Sequence, residues 1–222
     1  MDGRHELKYY INAMEYTLLR TKLRVIAKPD KNAVEDAGYT VSSLYFDNYA
    51  DKAVTDKLSG LSRREKFRLR YYNGDTSFIR LEKKSKANHL AYKETALVTA
   101  GQCSALLAGD YHSIRHEDTP LLMELYTKMS YQNLRPRLIV EYHREAYVYG
   151  AGNVRVTFDS RVRTSNHVEG FLCAGHGAIP AAGSMVMEVK YNGFLPDVIR
   201  DLLRTGARNQ TEFSKYVAGR LV

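Results

Sequence analysis

The stretch from Arg64 to Glu94, REKFRLRYYNGDTSFIRLEKKSKANHLAYKE, narrows the possible folds more than any other part of the chain. Asn73 and Gly74 lie between two alternating runs, and both residue types take positive φ at little cost, so the stretch reads as a hairpin. Successive side chains of a strand point to opposite faces. Phe67, Leu69 and Tyr71 therefore share one face of the first strand, with Arg68 and Arg70 on the other. In the second strand Ile79 and Leu81 oppose Arg80, Glu82 and Lys84. Strands of this kind leave their charged faces in water, or curl them inward around something that neutralises them.

The same pattern recurs along the chain. In RHELKYYI, Arg4, Glu6 and Lys8 oppose His5, Leu7 and Tyr9. In NVRVTFDSR, Arg155, Thr157 and Asp159 oppose Val154, Val156 and Phe158, and in VMEVKY, Glu188 and Lys190 oppose Met187 and Val189. PRLIVEYHREAYVY does not alternate cleanly, which leaves the facing of Glu141 and Arg144 open. An antiparallel sheet often keeps one face in water, but such a face mixes Ser, Thr, Gln and Asn with its charges. Here Arg and Lys dominate, and a carboxylate recurs beside each cluster. The alternative is a barrel too wide for its own side chains to fill, with apolar faces packed outward against helices. Burying so many like charges requires a multiply charged anion. Arg meets phosphate oxygens in pairs through its planar fork, and Lys acts as a point charge. The few acids suit Mg²⁺ or Mn²⁺ held through oxygen ligands and substrate phosphates. The pattern alone implies a tunnel for a linear polyphosphate compound. It does not specify a reaction.

Composition agrees with a polyanionic partner: 33 Lys+Arg against 25 Asp+Glu give the 222-residue chain a net charge of +8. No apolar run approaches the ~20 residues of a membrane span, and MDGRHELKYY lacks the apolar core of a signal peptide. Cys103 and Cys173 have no metal-type spacing, so a reducing cytoplasm is the expected location. No low-complexity tract or charge block divides the chain, and residues 1–222 read as a single domain. Asn12 and Glu15 form a capping box for a helix whose apolar stripe is Leu18, Leu19, Leu23 and Ile26. Thr99 with Gln102 caps a short helix through Leu107. Asp118, Thr119 and Pro120 open another that runs to about Tyr131. Pro196 starts one that Gly206 ends, and TEFSKYVAGRL closes the chain as a last helix. YTVSSLYFD and LAYKETALV are further strands. The sequence contains no G-x-x-x-x-G-K-[ST] loop, which argues against a P-loop enzyme.

RHELKYYI, SLYFD, KFRLRYY, LEKKSKANHLAYKE, VEYHREAYV, VRVTFD, MEVKYNGFLP and FSKY follow one another in order. Together they resemble the VTC (vacuolar transporter chaperone) polyphosphate polymerase domain in a compact bacterial form, from Arg4 to about Val217. That domain belongs to the triphosphate tunnel metalloenzyme superfamily. The resemblance implies an α+β fold, an antiparallel eight-stranded β-barrel with helices packed outside. It implies phosphate contacts from Arg4, Lys8, Arg68, Arg70, Lys84, Lys93, Arg144, Arg155 and Lys190. Glu188 matches the acid that holds the metal, with Glu6 and Glu82 as further candidate ligands. Lys215 matches a basic residue of the last helix that faces the reacting phosphates. Glu141 and Asp159 are supporting acids by position, and Arg80 and Lys86 share the hairpin face.

One position departs from the pattern. Hydrolytic members carry E-x-E-x-K in the first strand, where this chain has Arg4, Glu6 and Lys8. The missing carboxylate removes a ligand for a second, water-activating metal, and the arginine adds a phosphate clamp. The implied activity is therefore transfer of the γ-phosphoryl group of ATP to a growing polyphosphate chain, with Mn²⁺ or Mg²⁺. The alternatives are a triphosphatase on the same barrel and a non-catalytic module for polyanions or RNA. RLRYYNG does interleave basic and aromatic residues. Its tyrosines alternate out of phase with its arginines, so nucleic acid is not an expected partner. ATP and inorganic polyphosphate are, and the resemblance leaves room for a membrane partner.

Overall fold

The computed structural model describes residues 4–30, 38–87, 90–110, 119–173, 179–180, 185–204 and 210–221. Its strands are β1 (His5–Ile11), β2 (Lys28–Pro29), β3 (Tyr39–Asp47), β4 (Arg64–Tyr72), β5 (Asp75–Ala87), β6 (Leu90–Val98), β7 (Arg135–Tyr149), β8 (Val154–Ser165), β9 (Ile179–Pro180) and β10 (Met185–Tyr191). Its helices are α1 (Ala13–Ile26), α2 (Lys52–Leu58), α3 (Ala100–Ala108), α4 (Pro120–Tyr131), α5 (Asp197–Leu203) and α6 (Lys215–Arg220). The eight long strands form one antiparallel sheet in the order β1-β10-β8-β7-β3-β4-β5-β6, with β2 on β7 and β9 on β8. The sheet curls until its two edges touch. Arg4 and Ala91 exchange backbone hydrogen bonds of 3.2 and 3.3 Å there, the one bridge between the edges among the described residues. The result is a half-barrel of α+β class.

Local chemistry explains the turns and caps. Asn73 and Gly74 take φ of 51° and 73°, as a tight hairpin requires. Both expected capping boxes are present, at Asn12 with Glu15 and at Thr99 with Gln102. Helix α4 starts at Pro120 as expected; Asp118 and Gly206 lie outside the described residues. Helix α6 departs from expectation. It begins at Lys215, with Ser214 as its N-cap, and not at Thr211. The apolar stripe of α1 also differs: Leu19 and Leu23 are buried, whereas Leu18 is 46% exposed on the outer side. Helix α2 was not foreseen. Its N-cap Asp51 makes no side-chain cap bond, and the buried carboxylate of Asp47 accepts from the Ala53 N–H at 3.0 Å instead.

Three apolar clusters hold the half-barrel. Outside β3, β4, β5 and β7, residues Leu44, Leu69, Leu81 and Ile139 pack against α3 and α4 through Leu106, Leu122 and Leu125. Outside β8 and β10, Val156, Phe158, Met187 and Val189 pack against α1 and α5 through Leu19, Leu23 and Ile199. The third cluster lies on the concave face, where Val41, Leu138, Val140 and Tyr142 receive Tyr216 and Val217 of α6. A β-carbon at Gly219 would lie 2.6 Å from Thr164 Cγ2 and 2.9 Å from Leu138 Cδ2, so only glycine lets α6 sit this close to the sheet. Most helices thus cover the outside, while α6 fills part of the inside.

Candidate phosphate-binding tunnel

Alternation sends one set of side chains to the concave face, and the strand register arranges them in rows. Lys8 lies opposite Glu188, and Glu188 opposite Thr157; Glu6 lies opposite Lys190, and Lys190 opposite Arg155. Across the hairpin, Tyr45, Arg68, Glu82 and Thr95 form one row, and Lys66, Lys84 and Lys93 the next. Like charges directly opposite on neighbouring strands repel, so the lysine row is a local cost that the rest of the fold carries.

One network centres on Asp159, which is fully buried. Arg144 donates Nε to its Oδ1 at 2.6 Å and Nη2 to its Oδ2 at 2.8 Å, a bidentate pair. Lys215 adds its ammonium to Oδ2 at 2.5 Å and lies 4.6 Å from the centroid of the Tyr142 ring. Glu188 comes next, 3.4 Å from Lys190, 3.7 Å from Lys8 and 3.8 Å from Arg144. Glu6 accepts from Lys84 at 2.7 Å and stands 3.7 Å from Lys190. Burial alone would raise the Glu188 carboxyl. Lys190, Lys8, Lys84 and Arg144 outweigh it and hold the group well below the usual carboxylate range. Asp159 is likewise held low, by Arg144 and Lys215 against the same burial.

A second network surrounds Glu82, also fully buried. Arg68 donates Nε to Oε2 at 2.7 Å, Arg70 stands 3.6 Å away and Lys93 pairs with Oε1. Burial would raise this carboxyl too, and the three cations hold it far below. Arg70 also donates to Ser43 Oγ at 2.9 Å and to the Tyr142 hydroxyl at 3.2 Å, which links the two networks. Burial pushes the Lys84 ammonium down to about 8 despite Glu6. Glu6, Glu82, Asp159 and Glu188 each serve two or more cations. The face as a whole keeps a positive surplus.

The structure brings Lys8, Glu188, Lys190, Glu6, Lys84, Arg144, Asp159 and Lys215 into the first network, and Arg68, Arg70, Glu82 and Lys93 into the second. Arg155 stands at one end, bonded to Asp30 at 2.9 Å and to the Tyr39 hydroxyl at 2.7 Å. Arg4 donates to the Asn153 carbonyl at 2.6 Å. Glu141 departs from its expected position. It accepts from Ser42 on the outer face, because β7 keeps strict alternation and puts Tyr142 and Arg144 inside. Sequence reasoning passed over Lys66, which alternation with Arg68 would have placed inside. Its ammonium donates to Ser214 Oγ at 3.3 Å, and burial lowers its pKa to about 8. Tyr45 was missed as well. It accepts from Arg68 at 3.0 Å, and although burial would raise its phenol, Arg68 and Arg70 draw it down to about 7.

A family model for the VTC domain matches residues 3–222. The chain belongs to the VTC domain family. Among solved structures, the VTC chain is similar to a candidate adenylate cyclase from Bacillus halodurans. The two share 12% identity over 96% of this chain and 95% of that one, with a TM-score of 0.57. It is also similar to the PH1819 protein from Pyrococcus horikoshii OT3, at 16% identity over 98% of both chains and a TM-score of 0.50. No curated protein sequence matches it. At these identities the structural likeness establishes the fold. Family and fold together make the VTC chain a tunnel-fold enzyme that handles phosphate compounds. No helix among the described residues is long and apolar enough to cross a membrane.

Tunnel-fold enzymes generally use divalent metals. Among the described residues no group of three or more His, Cys, Asp or Glu side chains forms a complete protein cage. Glu188 and Glu6 nevertheless fit a partial shell. Mg²⁺ and similar ions take one or two carboxylates and complete their coordination with substrate phosphates and water. Glu82 fits less well: Arg68 bonds one of its oxygens at 2.7 Å and Lys93 pairs with the other, whereas the cations around Glu188 stand at 3.4–3.8 Å.

The buried carboxylates fix the sign of the acid response. Asp159 and Glu82 titrate well below the unfolded-chain values of about 3.9 and about 4.3. Their contribution is therefore complete above about pH 5 and is lost as pH falls, because the unfolded chain binds more protons. The loss approaches about 1.4 kcal/mol per pH unit for each group. Urea midpoints are expected to drop between about pH 5 and about pH 3, and less steeply in Asp159→Asn. A midpoint steady to about pH 3 would show that these pairs are solvated.

Proposed function

We propose that the protein is an ATP-dependent polyphosphate polymerase, transferring the γ-phosphoryl group of ATP to a growing inorganic polyphosphate chain. The observation that carries this reading is the continuous basic surplus of the concave face, from Arg155 and Lys190 through Arg144 and Lys215 to Arg68 and Lys66. A surplus this long suits a row of phosphates and is excessive for one. Phosphoryl transfer asks a protein mainly for in-line positioning and neutralisation of charge on the equatorial oxygens. Arg68, Arg70 and Arg144 supply paired donors, while Lys8, Lys84, Lys93, Lys190 and Lys215 supply point charges, and no covalent protein nucleophile is needed. Glu188 and Glu6 would hold Mg²⁺ or Mn²⁺, which adds charge neutralisation at phosphate oxygens. Arg4 supports transfer over hydrolysis, since it stands where hydrolytic relatives carry a carboxylate. The whole chain, residues 1–222, would act as one catalytic unit in the cytoplasm, with ATP and polyphosphate as partners.

Incubation with ATP and Mn²⁺ tests the reading directly. The expected products are ADP and a ladder of polyphosphate on a gel, with little free phosphate. Turnover that yields only free phosphate, unaffected by short polyphosphate, would replace the polymerase with a triphosphatase.

A further inference from the structure

The hairpin end of the half-barrel carries a feature that phosphate binding does not use. Along the concave face of β4 the order is Lys66, Arg68, Arg70 and then Tyr72; on β5 Lys84, Glu82 and Arg80 lie opposite the first three, the register shifts beyond the Arg70–Arg80 pair, and Phe78 stands beside Arg80 through its ring. Cations thus give way to aromatic rings towards the turn at Asn73 and Gly74. The Arg80 guanidinium carbon lies over both rings, 4.9 Å from the Phe78 centroid and 5.6 Å from that of Tyr72. Among the described residues Arg80 forms no ion pair with a carboxylate. Tyr39 closes the back of the group, its ring 5.7 Å from that of Tyr72 in an edge arrangement. Leu97 lies beside Arg80 across the β5–β6 register. Phe78 is 43% exposed and Leu97 is 57% exposed. An exposed ring, an exposed leucine and an unpaired guanidinium at one opening need a further explanation, because a solvated hairpin end is served as well by polar residues.

We propose that Tyr72, Phe78 and Arg80 form a platform for the base of a nucleoside triphosphate, whose phosphates extend inward to Arg70 and Arg68. Bases stack on aromatic faces and on guanidinium planes with little dependence on sequence. Alternate residues of a strand are about 7 Å apart, so Arg70 and Arg68 lie about 7 and about 13 Å inward of Tyr72. The distance from a base to its β- and γ-phosphates is of that order. Arg70 also lies against the Tyr72 phenol: burial would raise its pKa, but Arg70 holds it below its ordinary value. Platform and phosphate site are therefore continuous on one strand face. This corrects the expectation that tyrosines and arginines of this hairpin fall on opposite faces. Tyr71 does turn outward into the core, whereas Tyr72 shares the arginine face. The platform gives the tunnel a means to prefer nucleotides over bare polyphosphate at one opening.

The proposal rests on the phosphate-binding reading above, and the test separates the two. Binding of ATP and of inorganic tripolyphosphate is measured by calorimetry for the wild type, Phe78→Ala, Phe78→Trp and Tyr72→Leu. Phe78→Ala and Tyr72→Leu are expected to weaken ATP by about 5- to 100-fold and to leave tripolyphosphate within about twofold. Phe78→Trp, which keeps a stacking face, is expected to retain ATP. Phe78 is exposed, so its removal leaves the core intact. Unchanged ATP affinity in Phe78→Ala, or equal loss of both ligands, overturns the platform while tripolyphosphate binding by the wild type preserves the phosphate reading. A wild type that binds neither ligand overturns both.

Discussion

Replacing Glu188 by glutamine is expected to lower turnover at least about a hundredfold while ATP binding persists. Glu188 is buried on β10 amid Lys190, Lys8 and Arg144, and it remains ionised because those cations outweigh its burial. Glutamine keeps the shape and removes one negative charge from a site already short of them. The phosphate-binding cations stay, so the nucleotide should bind as tightly as before or more so. What disappears is the carboxylate that would hold the metal, and metal-derived stabilisation of phosphoryl transfer amounts to several kcal/mol, each 1.4 of which is tenfold in rate. Arg68→Ala should behave in the opposite sense. Its guanidinium holds the buried Glu82 and the Tyr45 hydroxyl, so its loss weakens binding itself, by about 1.5–3 kcal/mol for a charge-assisted contact. Fluorescent-nucleotide titration beside turnover separates the two variants. Glu188→Gln with normal turnover would remove Glu188 from the reaction. Arg68→Ala with wild-type affinity would remove Arg68 from the phosphate path.

These expectations were legible where short-range rules act and unreadable where long-range packing decides. The hairpin at Asn73 and Gly74, the two capping boxes and the alternation of Arg68, Arg70, Glu82 and Lys84 are set by neighbours within a few residues. The inner placement of Lys8, Glu188, Lys190, Arg155 and Asp159 followed from the same period of two. Helix α2 was hidden because its N-terminus is satisfied by Asp47 from the preceding strand. Leu18 looked like part of one apolar stripe, and only packing shows that α1 buries Leu19 and Leu23 while Leu18 stays outside. The late start of α6 has a similar cause: residues 211–214 run beside β1, where the Thr211 N–H donates to the Lys8 carbonyl at 2.8 Å. Glu141 and Arg144 stayed open because β7 is apolar on both faces, packing α6 inside and the outer cluster outside. Which cation pairs with which carboxylate depends on closure of the sheet. Lys84 of β5 meets Glu6 of β1 only because the half-barrel brings its edges together.

Inorganic tripolyphosphate is expected to stabilise the protein far more than single phosphate does. The empty concave face carries more cations than Glu6, Glu82, Asp159, Glu188 and Asp30 neutralise, and Lys66 and Lys84 have pKa values lowered to about 8. Burial is the first cause in both lysines, and neighbouring cations add to it. The unfolded chain holds these protons more tightly than the folded one, so the empty protein should gain stability as pH rises from about 8 towards about 10. A polyanion reverses the balance by supplying charge to both ammonium groups. At 100 times its Kd it should add about 2.7 kcal/mol, or roughly 5–11 °C in Tm at about 2–4 °C per kcal/mol for a chain of this size. The gain should shrink above about pH 8, where the empty protein has already released those protons. Single phosphate reaches only part of the row and should shift Tm little. Short RNA should do little as well, since its phosphates are spaced by sugars and do not form the continuous row that the lysines and arginines match. A solvated basic face would rank the ligands by charge alone and lose the effect with salt, at a Debye length of about 10 Å or less. A thermal-shift series with phosphate, tripolyphosphate, ATP and RNA at two salt concentrations decides between them. Shifts with RNA equal to those with tripolyphosphate would place the charges on an open surface and return the nucleic-acid reading to favour.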